Sequence, residues 1–276
     1  MIDSPGLRQT LGELDKRQVG RSFSRAARGY DNAAELQRRV GDGLICGLSG
    51  SRDLSVVVDI GAGTGYCTAH LHELFPGVRL IALDIAEGML RKALEHPQLK
   101  EGCTPLCADA EYLPLRDASA DLVISNLALQ WCSNLTGVLK EFHRVLKPGG
   151  RLRFTTFGAQ TLQELRAAWA SVDAYSHVNE FRSRAEVERC LLDAGFSGAV
   201  VSSEGRRVEY AGVGHLMREL KELGAHNLTA NRPRRLTGKQ RFQGMVEAYE
   251  TLTGCQRIWA TFEIVMADTM RTAPKE

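Results

Sequence analysis

The sequence predicts an α/β protein built on a mostly parallel sheet, and three observations support that prediction. Short apolar runs typical of buried strands alternate with segments whose apolar residues recur at helical spacing. The first such run, at residues 56–59, passes directly into a glycine-rich loop, which is typical of nucleotide-binding folds. Helical patterns without strand patterns appear before this run and again in the stretch at residues 213–251. Alternating strands and helices are expected to form parallel strands joined by right-handed crossovers.

The residue pattern in the first part of the chain predicts a helical cap, followed by the first strands of the sheet. Two helices, at residues 14–27 and 32–48, are expected to cap the sheet, because no strand pattern occurs there. The first five strands are predicted at residues 56–59, 80–84, 105–108, 122–125 and 152–156. Helices are expected between them, and one has apolar residues at helical spacing: Leu135, Val138, Leu139, Phe142 and Leu146.

The last part of the chain predicts two more strands, at residues 199–203 and 258–267, with an insertion between them. Helices are expected in this insertion at 213–224 and 239–251, which a minimal nucleotide-binding fold does not require. We interpret it as a lid, because ligands of open α/β sheets bind beyond the carboxyl ends of the strands and long insertions are usually functional. A helical hairpin that shields the sheet edge is the alternative.

The predicted organisation therefore has four parts. At 276 residues the chain has the length of one large domain, or of one domain with an insertion. The parts are a helical cap at 1–51, an α/β core at 52–204, a helical lid insertion at 205–254, and the last strand with a tail at 255–276.

Composition excludes several classes of function. Apolar content of 43% and charged content of 25% are ordinary for a globular protein. A net charge of +2 gives no reason to expect a nucleic-acid partner. The seven cysteines form no C-x-x-C pair, so neither a disulfide framework nor a metal site is expected. No signal-peptide pattern and no long apolar run occur, which predicts a cytoplasmic protein without membrane contact.

The loop after the first strand contains the most informative motif. Asp59 closes an uninterrupted β-branched run, and glycines follow at alternate positions, Gly61, Gly63 and Gly65. Glycines in such a turn let bare backbone N–H groups approach a ligand. The dinucleotide fingerprint G-x-G-x-x-G would place its third glycine at Tyr66, whereas the spacing here is G-x-G-x-G. This pattern resembles motif I of the class I methyltransferases that depend on S-adenosylmethionine (SAM). A plain strand-to-helix turn is the alternative.

Acids farther along the chain extend this resemblance. Asp84 closes the second strand, where an acid can accept hydrogen bonds from both ribose hydroxyls of a nucleoside. A helix N-cap is the alternative role for Asp84. In class I SAM-dependent methyltransferases an acid at the position of Asp109 receives the adenine amino group. Residues 121–126 and 145–152 are similar to the fourth strand and to the turn into the fifth.

This resemblance implies a Rossmann-like, seven-stranded, mostly parallel sheet whose last strand is antiparallel. It also implies SAM as the cofactor and S-adenosylhomocysteine as the product, with no metal. The cofactor-binding residues that it predicts are Asp59, Gly61, Gly63, Gly65, Asp84, Met89, Asp109, Ala110 and Asn126.

Further segments, spread over almost the whole chain, are similar to a narrower family. They include Phe23-Ser24-Arg25-Ala26-Ala27 with Tyr30, Leu36-Gln37, Leu129-Gln130-Trp131-Cys132, His177 with Asn179 and Phe181, and Leu220-Lys221 with Gly224-Ala225. These segments resemble the malonyl-[acyl-carrier protein] O-methyltransferases of biotin synthesis, including the insertion, which generic methyltransferases lack. Glu180 is a departure, because a basic residue is expected before Phe181, and this weakens any role of that position in anion binding.

The narrower resemblance implies methyl esterification of the free carboxyl of a malonyl thioester, the first step of pimeloyl synthesis for biotin. A carboxyl with a pKa of ~4 is already ionised at neutral pH, so no general base is needed. Catalysis is then expected to depend on holding one carboxylate oxygen in line with the methyl–sulfur bond and on excluding water. Neutral donors are expected near the methyl group, with cations farther out.

The candidate residues follow from that requirement. The neutral donors predicted at the site are Tyr30, Gln130, Trp131 and His177, and the predicted cation is Lys221. Each has a plainer alternative: core packing for Trp131, a structural histidine for His177, and a solvated helix charge for Lys221.

An acyl carrier protein that bears malonate is the partner that the resemblance implies. Acyl carrier proteins are acidic, and a basic cluster in the insertion would complement one: Arg232, Arg234, Arg235, Lys239 and Arg241. Such complementarity would raise the association rate more than the affinity. A solvated basic loop is the alternative, and malonyl-CoA, whose phosphates would also meet a basic rim, is a second candidate substrate.

Three other functions remain open at this point. One is SAM-dependent methylation of a small molecule, such as a quinone precursor or another carboxylic acid. A nucleotide-binding dehydrogenase is disfavoured by the glycine spacing. A non-catalytic SAM-binding module is the third, because intact cofactor motifs do not by themselves establish catalysis.

Overall fold

The computed structural model describes residues 15–48, 54–225, 238–254 and 257–272. Its strands are β1 (Val56–Ile60), β2 (Arg79–Asp84), β3 (Cys103–Cys107), β4 (Ala120–Asn126), β5 (Leu146–Phe157), β6 (Val200–Tyr210) and β7 (Ile258–Met270). Its helices are α1 (Lys16–Ala26), α2 (Tyr30–Ala33), α3 (Glu35–Cys46), α4 (Tyr66–Leu74), α5 (Glu87–Ala93), α6 (Pro97–Gly102), α7 (Leu135–Val145), α8 (Gln163–Ala170), α9 (Arg184–Asp193), α10 (Val213–Glu222) and α11 (Lys239–Thr253).

The seven strands form one sheet in the order β3-β2-β1-β4-β5-β7-β6. Strands β1 to β5 pair in parallel, whereas β7 is antiparallel to both β5 and β6. This confirms the expected mostly parallel sheet with an antiparallel last strand. The strand order reverses between β1 and β4, and the crevice at such a switch point is where open α/β sheets bind ligands.

Strand β6 is longer than the sequence pattern predicts. It was expected to end near Ser203, but it continues to Tyr210, into the range assigned to the insertion. Charged residues in its second half hide the strand pattern. They are tolerated because β6 is an edge strand and because β7 supplies hydrogen-bonding partners along its whole length. The division of the chain into four parts stays a prediction.

Helices cover both faces of the sheet through apolar stripes. Helix α7 buries four of the five residues that its periodicity singles out, and Phe142 is fully buried. The fifth, Leu146, lies beyond the end of the helix, as the first residue of β5, where it is also buried. The side chain of Asn134 begins this helix by accepting a hydrogen bond from the backbone N–H of Gly137 at 2.9 Å. A second core forms where α8, α10 and α11 meet β7, with Tyr249 and Met245 fully buried.

The cap and the insertion meet over the carboxyl ends of the strands. Helix α1 packs closely on α5, because Gly88 leaves room for the backbone of Ser24. The hydroxyl of Ser22 donates to the backbone oxygen of Gly224 at 3.2 Å, which joins α1 to the chain after α10. Helix α11 instead packs against α8 and β7. The two helices of the insertion therefore have different positions: α10 adjoins the cap, and α11 shields the sheet.

Candidate functional site

The loop between β1 and α4 has a backbone that only glycine adopts easily. Gly61, Gly63 and Gly65 have φ angles of 71°, 57° and 88°. A Cβ at Gly61 would collide with the side chain of Ala128, so this glycine lets the loop after β4 approach. A Cβ at Gly65 would lie 2.8 Å from that of Ala93. Gly65 therefore lets α4 pack against α5, and it does not line the cavity described below.

Asp84 joins the two loops at the carboxyl ends of β1 and β2. Its Oδ2 accepts a hydrogen bond from the backbone N–H of Gly63 at 2.9 Å, and its Oδ1 accepts one from that of Ala86 at 2.7 Å. Ala86, not Asp84, is the N-cap of α5, so the capping alternative does not hold for Asp84. A carboxylate has about four lone-pair positions, so Asp84 can also accept a hydrogen bond from a ligand. Burial raises the pKa of this carboxyl.

The main cavity lies along the carboxyl edge of the sheet and comprises about 890 Å³ of space between protein atoms, part of it open to solvent. Near β2 and β3 it is lined by the predicted cofactor residues Asp84, Met89, Asp109 and Ala110. Beyond β4 and β5 it is lined by Gln130, Trp131, Cys132 and Phe157. The two groups line one continuous cavity, and they meet at Cys132, whose thiol lies in the electrostatic neighbourhood of Lys16, Asp109 and Glu111.

Lys16, a residue that the sequence analysis did not single out, closes the cavity beside Asp109. Its Nζ lies 2.9 Å from Asp109 Oδ1 and 2.9 Å from Glu111 Oε1. The ammonium is half-buried, and burial lowers its pKa while the neighbouring Cys132 and the two carboxylates raise it, with a net rise. Asp109 keeps its second oxygen free of this ion pair. Nothing in the helical periodicity of α1 distinguishes Lys16 from a surface lysine.

A second, smaller cavity adjoins the first on the side of α2 and α3. It is lined by Asp59 and Arg38 among others, and five residues line both cavities: Tyr30, Gln37, Gly61, Gly63 and Asn126. Asp59 is buried, and its Oδ2 accepts a hydrogen bond from the Thr68 hydroxyl at 2.6 Å. Burial raises the pKa of Asp59 to about 7, against the opposing effect of that hydrogen bond.

Asn126 fastens the cap to the core at the junction of the two cavities. Its Nδ2 donates to the backbone oxygen of Gln37 at 2.9 Å, and its Oδ1 accepts from the Thr155 hydroxyl at 2.8 Å. Both polar ends of the side chain are therefore engaged by protein. Asn126 lies where the sequence analysis places it, but its contacts position α3.

Three of the predicted donors, Tyr30, Gln130 and Trp131, line the main cavity. Burial raises the pKa of the Tyr30 phenol, as do the neighbouring carboxylates of Asp84 and Asp31. The amide of Gln130 is held by the backbone oxygen of Leu127 and the hydroxyl of Thr156. The ring of Trp131 packs edge to face on Phe23, with centroids 5.2 Å apart. Cap and core thus both contribute to this end of the cavity.

His177 and Lys221 lie elsewhere, along an open groove between the cap, α8 and α10. The ring of His177 stacks on Trp169 at 3.8 Å, and its Nε2 lies 2.8 Å from Asp173 Oδ1. The groove meets the main cavity at Ala225, which lines both. The ring pair Phe157–Phe181, with centroids 5.6 Å apart, separates them elsewhere.

The predicted carrier-binding cluster is only partly described. Arg232, Arg234 and Arg235 lie outside the described residues. Lys239 and Arg241 are exposed on α11, and Arg241 approaches the Asp173 carboxylate at 3.8 Å. Three other cations line the groove: Arg25, Arg218 and Lys221. Within the described ranges, none of these three pairs with a carboxylate.

The described part of the chain contains neither a cluster of metal ligands nor a helix suited to span a membrane. No group of three or more His, Cys, Asp or Glu side chains converges there as metal ligands would. Among the helices described, none has both the length and the apolar character that a membrane span requires.

Comparison with known proteins identifies relatives over most of the chain. Residues 58–154 match the family described as methyltransferase domain. The chain is 46% identical to the malonyl-[acyl-carrier protein] O-methyltransferase of Methylococcus capsulatus, over 92% of this chain and 93% of that protein. It is 42% identical to the biotin biosynthesis bifunctional protein BioHC of Cellvibrio japonicus, over 91% of this chain and 49% of that protein.

Solved structures agree on the fold. Haemonchus contortus phosphoethanolamine N-methyltransferase 2, solved in complex with SAM, superposes with a TM-score of 0.56 at 15% identity. The match covers 91% of this chain and 57% of that protein. At such low identity the likeness establishes the fold alone, and it confirms the expected class I methyltransferase fold.

The raised pKa of Asp59 predicts how stability depends on pH. An acid whose pKa rises on folding contributes stability below its unfolded value, near 3.8, and loses it as the pH rises through about 7. Asp59→Asn keeps an acceptor for Thr68 and has no charge to bury. Relative to the parent, it should therefore gain about 2–3 kcal/mol of unfolding free energy between pH 5 and pH 8.

Urea unfolding at the two pH values measures this difference. Asp121→Asn is the control: burial raises the pKa of Asp121, but Lys147 and backbone N–H groups outweigh this and lower it. Its effect should be the same at pH 5 and pH 8, because the group is ionised at both. A pH-independent effect of Asp59→Asn would show that Asp59 is ionised throughout.

Proposed function

We infer that this chain, which belongs to the malonyl-[acyl-carrier protein] O-methyltransferase family, methylates the free carboxylate of a malonyl thioester with SAM. It is a SAM-dependent carboxyl O-methyltransferase. The observation that supports this substrate best is the character of the cavity beyond β4 and β5. It presents neutral donors and aromatic rings, while Arg25, Arg218 and Lys221, which pair with no carboxylate in the described part of the chain, lie outside it along the groove.

The residues of the two cavities fit SAM. Asp84 has free lone pairs for the ribose hydroxyls, Asp109 has one free oxygen for the adenine amino group, and Met89 supplies an apolar surface for the base. The second cavity offers the Asp59 carboxyl and the Arg38 guanidinium, which suit the ammonium and carboxylate of an amino acid. When bound, SAM supplies an electrophilic methyl group on a positively charged sulfur.

Among the described residues that line the cavity beyond β4 and β5, none is an obvious general base, which favours a carboxylate acceptor. The Tyr30 phenol and the Cys132 thiol line the cavity, and burial raises the pKa of both, that of Cys132 to about 12. Both stay protonated at neutral pH and act as donors, not as proton acceptors. A hydroxyl or carbon acceptor would need a base, whereas an ionised carboxylate attacks directly. The products are a malonyl methyl ester and S-adenosylhomocysteine.

The groove gives a route for the thioester arm. Groove and cavity share Ala225 in their linings, so we place the passage of an extended arm from the surface to the donors at this residue. Arg25, Arg218 and Lys221 along it are exposed and suit the phosphate of such an arm or an acidic carrier surface. His177, held by Asp173 and Trp169, forms part of the groove wall. We assign Lys221 and His177 to substrate entry.

The proposed reaction is tested directly with purified protein, SAM and malonyl-carrier protein. Mass spectrometry should show that the carrier gains one methyl group and that base hydrolysis removes it as methanol. Succinyl-carrier protein is the control for acyl-chain length, and a quinone precursor is the control for a small-molecule acceptor. Methylation of the small molecule alone would reject the malonyl substrate.

Asp84→Ala tests the cofactor assignment. It removes hydrogen bonds between a charged acceptor and ribose, each worth about 1.5–3 kcal/mol, so SAM affinity should fall at least tenfold in calorimetry. Asp121→Ala is the matched control, because Asp121 also accepts two backbone N–H groups, those of Ser55 and Val56, but at the opposite end of the sheet. It should lower stability and leave SAM affinity unchanged. Unchanged affinity in Asp84→Ala would refute the ribose contact.

The groove cations are tested by the double variant Arg218→Gln with Lys221→Gln. Loss of two positive charges should raise KM for malonyl-carrier protein roughly three- to tenfold at low salt, with kcat preserved, and the effect should shrink at high salt. The control is Arg91→Gln with Lys92→Gln on α5, where both residues pair with glutamates and neither lines the groove. A salt-independent fall in kcat would mean that Arg218 and Lys221 hold α10 in place.

A further inference from the structure

Helix α1 carries a row of arginines on its exposed face. Arg17, Arg21 and Arg25 recur at a spacing of four residues, so they lie on one side of the helix, and Arg28 follows just beyond its end. All of these arginines are exposed. From Arg17 to Arg25 the row extends about 12 Å, at a rise of about 1.5 Å per residue. We call these residues, Arg17, Arg21, Arg25 and Arg28, the α1 ridge.

The arginines of the α1 ridge lack the partners that exposed arginines have on other helices. Arg39, Arg91 and Arg184 each pair with a glutamate one helical turn away. Within the described part of the chain, no carboxylate pairs with an arginine of the ridge. Helix α1 contains no acid, and the residues four positions before and after Arg21 are both arginines. Like charges at that spacing destabilise a helix, so a negatively charged partner would relieve this repulsion.

The α1 ridge adjoins the groove that we assign to substrate entry. Arg25 belongs to both, and Ser22, at the position after Arg21, also lines the groove. Val19 and Phe23 lie on the inner side of the same helix and line the main cavity. A protein bound to the ridge would therefore lie beside the groove, close to the place where a thioester arm enters.

The chemistry of the α1 ridge suits an acidic protein surface. Guanidinium groups bind carboxylates through paired hydrogen bonds, so a row of arginines can contact several acids at once. The excess of positive charge continues along the groove, whose described lining contains Arg218 and Lys221 but only one acid, Glu222. Because they share Arg25, the ridge and the groove form one basic surface.

We propose that the α1 ridge is the docking surface for the acidic acyl carrier protein that bears the malonyl group. This role rests on the proposed function and adds to it the surface that recognises the carrier itself. The carrier docks on the exposed face of α1, and its arm passes along the groove from Arg25 towards the main cavity. Attraction between such surfaces raises the association rate and weakens as salt increases. Recognition of the carrier is thus separate from recognition of the malonyl group.

The double variant Arg17→Gln with Arg21→Gln tests this surface, because neither residue lines the groove or the main cavity. For malonyl-carrier protein, kcat/KM should fall roughly five- to twentyfold at low salt, and the loss should shrink at high salt. For malonyl-pantetheine, which has no carrier, kcat/KM should be unchanged. The unfolding temperature should stay the same or rise, because repulsion along α1 is reduced.

Arg184→Gln with Arg189→Gln is the matched control. Both residues are exposed on α9 and line neither the groove nor the main cavity, and their loss changes the net charge by the same amount. This variant should turn over both substrates as the parent does. A loss on malonyl-carrier protein as large as that of the α1 variant would show that only net charge matters, and it would reject the docking surface.

The remaining outcomes also reject it. Equal losses on malonyl-carrier protein and malonyl-pantetheine would show that Arg17 and Arg21 hold α1 in place. Unchanged turnover of both substrates at low salt would show that the ridge is only solvated. If, in addition, the parent but not the variant binds phosphatidylglycerol vesicles, the ridge faces a membrane surface. If the parent methylates neither substrate, the proposed function itself fails, and this result is distinct from selective loss of the carrier substrate in the variant.

Discussion

The hydrogen bonds of the Asp84 carboxylate are the interaction on which the site depends. They hold the backbone N–H of Gly63, after β1, and that of Ala86, after β2, to a single side chain. Two adjacent loops thereby keep one relative position, and the cavity between them is formed before any ligand binds. The cost is a buried acid, whose pKa is raised. The backbone N–H groups that donate to the carboxylate offset part of this cost.

The helices of the cap close the cavity at this edge of the sheet, and polar contacts hold them there at two places. Lys16 reaches Asp109 and Glu111, and Asn126 reaches the backbone of Gln37. The apolar contact between Phe23 and Trp131 lies between these points. Because the contacts come from different elements of the cap, closing the cavity requires α1 and α3 to dock together. Water exclusion from the reacting groups is therefore a property of the docked cap and not of the sheet.

Charge is distributed to match a reaction that needs no proton transfer. In the proposed arrangement, acids line the part of the cavity assigned to the cationic cofactor, and protonated donors line the part assigned to the acceptor. Arg25, Arg218 and Lys221, which pair with no carboxylate among the residues described, line the groove outside. A cation in contact with the attacking carboxylate would lower its nucleophilicity, whereas a cation farther away still attracts an anionic substrate. The separation between Tyr30 in the cavity and Lys221 in the groove is consistent with this division.

Local sequence patterns determined the sheet, the glycine loop and the acid that ends β2, because each depends on residues close together in the chain. An apolar run, a G-x-G-x-G spacing and a helical stripe report on short-range geometry, so Gly61, Asp84 and Phe142 could be placed from sequence. Tertiary structure decided the rest. Lys16 lines the cavity only because distant helices dock there, and His177 and Lys221 lie in the groove for the same reason. Such placements depend on long-range packing, which the periodicity of a single segment does not record.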